Sequence, residues 1–296
     1  MVSLSYLQIK EHSRKKYQIL GKYLRACQRF SNIYRNFAYV DTHGGSGKVL
    51  DAGNLTDGST LIAAKVTPSF PCYVIEIDRL RFTLLKDSCK AIPHVTPFFG
   101  DCNTEIDRIL SLIPKGKMFV FFFVDPDGLA YQGKDRTYDE LTAETVEKIA
   151  TFPRTELLLN LPLQAIMECA GYIRELPGKA ASEKMRERVS TFFGTERWLH
   201  LDCGDYKAFM RLYVSQRLEA HYQYIGGILV RNVMRGPQYY LLYGSKHSRG
   251  GEIMRDIMKK EHVDTVGFPL TRHQYETDRE WLDAEYPLNK PFVFEN

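Results

Sequence analysis

Four short stretches of this 296-residue chain carry residue types that can do chemistry together. The first runs Tyr39, Val40, Asp41, Thr42, His43, Gly44, Gly45, Ser46, Gly47: an apolar run closed by an acid and then glycines. Glycines let a backbone turn tightly and approach a ligand closely. An acid just past a strand end suits an ammonium or a hydroxyl better than a phosphate. The stretch is not a P-loop, because Thr42 stands where its first glycine belongs and Val49 where Ser or Thr must hold magnesium. A plain strand-to-helix turn is the competing reading.

The second stretch, Val74-Ile75-Glu76-Ile77-Asp78, ends an apolar run in carboxylates. A carboxylate there can accept both ribose hydroxyls of an adenosine-containing cofactor. Glu76 suits this better than Asp78, which already belongs to the next helix. The interval from Asp41 exceeds the roughly 20 residues usual in dinucleotide folds, and the excess, Lys48–Gly58, reads as loop. The third stretch is Gly100-Asp101-Cys102-Asn103, where Asp101 either accepts from an adenine amine or simply caps a helix. The fourth is Asp125-Pro126-Asp127-Gly128, also a good turn sequence. A carboxylate at that position can accept an N–H from an amine nucleophile, orient its lone pair and assist proton loss. Asn160-Leu161-Pro162 would line the same rim, as substrate contact or turn.

These residues need a scaffold that brings strand ends together, and the apolar patterning supplies one. Strands are predicted at Phe37–Asp41, Cys72–Ile77, Val95–Phe99, Met118–Val124 and Glu156–Asn160. Helices are predicted at 5–28, Thr60–Val66 (capped by Asp57 or Ser59), Arg79–Lys90, Asn103–Ile113 and Tyr138–Ala150. Met118–Val124 is wholly apolar, as a strand buried on both faces must be. Residues 163–222 read as helical, interrupted at Pro177-Gly178. Gly227–Val233 and Gln238–Ser245 are close enough to form an antiparallel hairpin, followed by a helix at Gly251–Lys260. The expected fold class is α/β: a doubly wound, Rossmann-like methyltransferase sheet, mostly parallel, with an antiparallel C-terminal hairpin and a helical insertion. The expected organisation is a basic helical segment at 1–35, a cofactor-binding core at 36–162 and a helical insertion at 163–222 that serves as a substrate module. The hairpin and helix at 223–262 complete the core, and 263–296 forms an irregular tail.

Composition sets outer bounds. With 44% hydrophobic and 26% charged residues, the chain can bury a sizeable core and is not disordered. No apolar stretch reaches the roughly 18 residues of a membrane span, and the start lacks a signal-peptide pattern; the expectation is a cytoplasmic protein without a membrane partner. Six cysteines (27, 72, 89, 102, 169, 203) lack the close spacing of metal or redox sites, so buried thiols and no metal are expected. Net charge is only +4, but Lys10, Arg14, Lys15, Lys16, Lys22, Arg25, Arg29 and Arg35 cluster near the start, against the single acid Glu11. Tyr17, Tyr23, Phe30 and Tyr34 are interleaved. That is either a surface tracking RNA or DNA phosphates or the solvated face of a docked helix.

Taken in order, these motifs resemble the three-Cys-motif partner protein family, TcmP, a branch of the Rossmann-like methyltransferases. The resemblance also includes Lys16-Tyr17-Gln18-Ile19-Leu20, Tyr239-Tyr240-Leu241-Leu242-Tyr243, His247, and the helix through Met254, Asp256 and Met258. It departs at His43 and Ser46, where the family usually has an aromatic and a Pro, and at Asp127, which replaces an aromatic. The resemblance implies S-adenosylmethionine as cofactor, held by Asp41, Gly44, Gly45, Gly47, Glu76 and Asp101, with Asp125 and Pro126 catalytic. It also implies a three-Cys-motif protein as a partner. The Asp-Pro-x-Gly form is similar to that of transfer-RNA guanine methyltransferases, which points to an exocyclic amine of a nucleic-acid base as acceptor. Two other readings stay open: a methyltransferase of a small molecule or protein, and an inactive Rossmann module serving a partner.

Overall fold

The structure is a computed structural model that describes residues 6–9, 11–29, 36–133, 137–232 and 236–263. Its elements run α1 (Glu11–Arg29), β1 (Phe37–Asp41), β2 (Lys48–Asp51), β3 (Asn54–Asp57), α2 (Ser59–Val66), β4 (Cys72–Glu76) and α3 (Arg79–Cys89). There follow β5 (Val95–Phe99), α4 (Cys102–Leu112), β6 (Phe119–Val124), β7 (Ala130–Gln132), β8 (Thr137–Asp139), α5 (Ala143–Thr151) and β9 (Thr155–Leu161). The remainder is α6 (Leu163–Glu175), α7 (Ala180–Phe193), a 3-10 turn (Arg197–His200), α8 (Tyr206–Arg217), β10 (Tyr224–Asn232), β11 (Gly236–Ser245) and α9 (Ser248–Val263).

The main sheet has the order β10-β11-β9-β6-β1-β4-β5. β5, β4, β1, β6 and β9 are mutually parallel, whereas β11 runs antiparallel to both β9 and β10. The doubly wound, Rossmann-like sheet with an antiparallel hairpin is therefore present. Its central strand is β6, whose six residues are all buried. Phe119, Phe121 and Phe123 pack with α1, α2 and α9, and Val120, Phe122 and Val124 with α4 to α8. This strict alternation follows from the period of two along a strand. The 163–222 segment contributes Phe192, Phe193, Trp198 and Tyr213 to the same core as α4 and α5.

Several local expectations are corrected. The first helix starts at Glu11, and residues before it run along β2, with Ile9 N–H donating to Leu50 O at 2.8 Å. Lys48–Gly58 is a hairpin rather than a loop; Ala52 and Gly53 turn it with positive φ (49° and 83°), which Gly53 accepts without strain. Tyr138 belongs to a second small hairpin, paired with Tyr131, and the helix begins only after Thr142, whose Oγ1 accepts the Thr145 N–H at 3.2 Å. Neither Asp57 nor Ser59 caps α2; Gly58 holds the cap position and Ser59 Oγ donates to Asp41 instead. The irregular tail at 263–296 falls outside the described residues apart from Val263, as do Phe30, Tyr34, Lys10 and Arg35.

Four of the basic residues of α1 are paired within the fold. Arg14 pairs with Asp51, Lys15 and Lys22 with Glu261, and Lys16 with Asp125. Tyr23 is fully buried, and its hydroxyl donates to Glu156. Half of the eight cations that cluster near the start, Arg14, Lys15, Lys16 and Lys22, thus take part in docking this helix.

Glu156 lies buried in the middle of the sheet and also accepts from Ser245 Oγ at 2.8 Å. Burial pushes its carboxyl up from 4.5 to about 7, against the lowering pull of Tyr23, Ser245 and Tyr243. Because the folded state holds this proton more tightly, its contribution to stability is full below pH 4.5 and is lost as pH rises towards 7. Glu156→Gln removes the dependence. Unfolding free energies at pH 5 and pH 8 should shift in the variant's favour, relative to wild type, by about 3 kcal/mol. A difference that stays constant with pH would show that Glu156 does not titrate in this window.

Candidate active site

The carboxyl ends of β1, β4, β5 and β6 open onto one cleft with a free volume of about 60 Å³. The glycine turn forms its floor. Gly44 N–H donates to Ile75 O at 2.8 Å, and Gly58 N–H to Gly47 O at 2.8 Å, tying the turn to β4 and to the start of α2. Gly44 has no room for a side chain: a Cβ there would lie 2.1 Å from Val74 Cγ1. Gly47 adopts φ +74°, a left-handed conformation open to glycine at little cost.

Glu76 lines this cleft at the end of β4 and is only 5% exposed. Its Oε1 accepts the Asp78 N–H at 2.7 Å. Burial raises its carboxyl from 4.5 to about 7, more than that hydrogen bond and Arg81 lower it. Asp78 is occupied elsewhere, as the chain order suggested. It caps α3 through Arg81 N–H at 2.8 Å and accepts from Tyr131 at 2.6 Å across the cleft mouth. Asp101 lines the cleft and also caps α4, its Oδ1 taking Asn103 N–H and Nδ2 at 2.9 Å each.

Asp41 is corrected. It is fully buried behind the turn, where it accepts from Ser59 Oγ at 2.6 Å, Thr60 Oγ1 at 3.2 Å and His43 N–H at 3.2 Å. Burial raises its carboxyl above 3.8, partly offset by Ser59. It anchors the loop and is not among the residues lining the cleft. A strand-end acid whose donors come from a helix eighteen residues on cannot be told from a ligand-facing one by spacing.

His43, Cys102 and Glu140 form a cluster in the cleft wall that sequence reasoning did not assemble. His43 Nε2 lies 3.1 Å from Glu140 O, 3.4 Å from Glu140 Oε2 and 3.8 Å from Cys102 Sγ. Burial acts to lower the imidazole, but Cys102 and Glu140 outweigh it and hold it well above 6.5. Glu140 follows the small hairpin that the sequence reading took for helix, so its approach to His43 had no local signal. The cluster fits no metal pattern, and no group of His, Cys, Asp and Glu among the described residues could hold a metal ion. No helix among the described residues is long and apolar enough to cross a membrane.

Asp125 stands at the end of β6 and lines the cleft as expected, but it is not free. Its Oδ1 pairs with Lys16 Nζ and accepts from Asn160 Nδ2 at 2.9 Å. Pro126 lines no part of the cleft, and its carbonyl is taken by the same Asn160 nitrogen at 3.1 Å. Asp125 therefore reaches the cleft as expected, whereas Pro126 meets it only through the Asn160 contact of its carbonyl. Asp127, largely exposed, faces Arg81 at 3.8 Å.

No family model matches this chain, and no curated protein matches it. Solved structures with a related arrangement include a provisionally assigned caffeoyl-CoA O-methyltransferase from Staphylococcus aureus. It has a TM-score of 0.40 and 9% identity, over 75% of this chain and 82% of that one. A provisionally assigned O-methyltransferase from Klebsiella pneumoniae gives 0.40 and 11%, over 76% and 80%. A SAM-dependent methyltransferase from Agrobacterium tumefaciens gives 0.42 and 9%, over 81% and 63%. Likeness this distant says nothing of cofactor or substrate, which have to be read from the cleft itself.

Proposed function

We propose that the protein is a methyltransferase using S-adenosylmethionine, with an exocyclic amine of a nucleic-acid base as acceptor. The observation that carries this reading is Glu76: a buried carboxyl at the end of β4, lining a cleft whose floor is a glycine turn in which Gly44 has no room for a side chain. Such a carboxylate accepts two ribose hydroxyls, and Asp101, one strand further, meets the adenine end. When bound, the cofactor supplies an electrophilic sulfonium methyl group. The chain's part is to hold and align, because an in-line displacement needs orientation above all. The glycine turn contributes close backbone contact, and Lys16 keeps the rim carboxylate Asp125 compensated. The nucleobase acceptor and a three-Cys-motif partner protein belong to the same proposal; they are supported by the Asp-Pro-x-Gly stretch and the ordered TcmP-like motifs, and the docked basic helix adds nothing to them.

Calorimetric titration with S-adenosylmethionine and S-adenosylhomocysteine tests the cofactor. Micromolar binding is the expected result, and a folded protein that binds neither ligand would remove the reading. The pH profile is a second check. Glu76 must be ionised to accept both hydroxyls, and its carboxyl is held at about 7, so Kd should be flat above pH 7. Below that it should rise about tenfold per pH unit as the free protein takes up the competing proton. In Glu76→Gln that rise should disappear.

A further inference from the structure

Beyond Asp125 the rim of the sheet holds a second cleft of about 290 Å³, lined among others by Lys16, Asn160, Glu168, Gln238 and Tyr239; Asp127 lines both clefts. Asn160 is 6% exposed. Its Nδ2 donates to two acceptors, Asp125 Oδ1 and Pro126 O, which fixes which end of the amide is nitrogen. Its Oδ1 has no hydrogen-bond partner among the described residues, and neither has Nε2 of Gln238. A buried polar atom left unmet costs roughly 1–3 kcal/mol. Here an unmet acceptor and an unmet donor belong to side chains lining one cleft, next to the one that suits the cofactor.

We propose that this second cleft receives the methyl acceptor: Asn160 Oδ1 takes an N–H of its amine, and Gln238 Nε2 donates to the ring nitrogen or carbonyl beside that amine. Asp125 is then a positioning residue, holding the Asn160 amide through Nδ2 rather than touching the acceptor. The proposal rests on the methyl-transfer reading above. It selects an amino-substituted heterocycle over a hydroxyl acceptor. A hydroxyl must give up its proton as the new bond forms, and the carboxylate at this rim is already neutralised by Lys16. A neutral amine forms the N–C bond with its own lone pair as the S–C bond breaks, and the cationic product gives up its extra proton to water afterwards, so the site needs to orient it rather than deprotonate it.

The test uses the full chain saturated with S-adenosylhomocysteine, so that the first cleft is filled. Adenosine, guanosine and cytidine are titrated, each against its N,N-dimethylamino derivative, which lacks the N–H. Binding is followed by the side-chain amide resonances of protein labelled with 15N-asparagine. At least one nucleoside should bind about tenfold more tightly than its dimethyl form, the worth of one hydrogen bond, and should shift the Asn160 resonance. That preference should vanish in Asn160→Ala and in Asp125→Ala, yet survive in Asp125→Asn, which keeps an oxygen for the Asn160 amide. No preference for any nucleoside, a preference untouched by Asn160→Ala, or one abolished by Asp125→Asn overturns the proposal while leaving the cofactor reading intact. Failure of S-adenosylhomocysteine itself to bind overturns the cofactor reading and the proposal with it.

Discussion

Glu76→Ala should raise the Kd for S-adenosylmethionine by about two orders of magnitude, with little change in unfolding free energy. Hydrogen bonds to a charged group contribute about 1.5–3 kcal/mol each, and the two ribose hydroxyls share one carboxylate. Loss of both, less what water restores in the vacated space, comes to roughly 3 kcal/mol, or more than a hundredfold in affinity. Fold stability should hold, since the side chain makes one local bond, to the Asp78 N–H. The alanine variant should even gain somewhat above pH 7, where the buried carboxylate of the wild type is ionised. Calorimetry on both proteins decides it: a Kd within threefold of wild type would mean that Glu76 does not hold the ribose.

Gly44→Ala should damage fold and cofactor site together. The added Cβ would sit 2.1 Å from Val74 Cγ1 and 3.2 Å from Thr60 Oγ1, in a region where Val74 is wholly buried. Overpacking of this kind costs about 1–3 kcal/mol. Displacing the turn would also weaken the Gly44 N–H bond to Ile75 O, for about 1 kcal/mol more. A loss of roughly 2–4 kcal/mol in unfolding free energy is expected, with cofactor affinity falling in parallel because the turn is the cleft floor. Combining Gly44→Ala with Val74→Ala removes the clashing methyl groups. The double variant should therefore be more stable than the sum of the single losses allows, by about 1 kcal/mol or more. Strictly additive losses would show that the collision with Val74 is not the cause.

These two positions differ in how they could be known. The place of Glu76 is legible because an apolar run that stops at a carboxylate puts that carboxylate at the carboxyl edge of a parallel sheet; that it faces the cleft, as Asp41 does not, is decided by packing. The parallel strands, the central β6 and the late hairpin were equally plain, since burial on both faces demands an uninterrupted apolar run and a short connection demands antiparallel pairing. The two small hairpins were not. Lys48–Asp57 and Ala130–Asp139 are short, half-exposed and weakly patterned, and their strands are stable only against the body of the fold.

Sequence alone therefore determined the sheet, the glycine turn and the positions of Glu76 and Asp101 at strand ends, because each follows from periodicity and from position along a strand. Only the tertiary structure decided what the carboxylates face. Asp41 and Glu76 both close parallel strands, yet Asp41 is consumed by Ser59, Thr60 and the turn, while Glu76 lines the cleft. Lys16 looked like one cation of a basic face, and the packing of α1 brings it to Asp125, far along the chain. The order of residues leaves Asn160 open to turn or contact; in the fold Asp125 and Pro126 take its nitrogen and its oxygen is unmet among the described residues. Local pattern fixes where a side chain starts; the partners that use it up come from distant segments, and only their packing shows which polar atoms remain for a ligand.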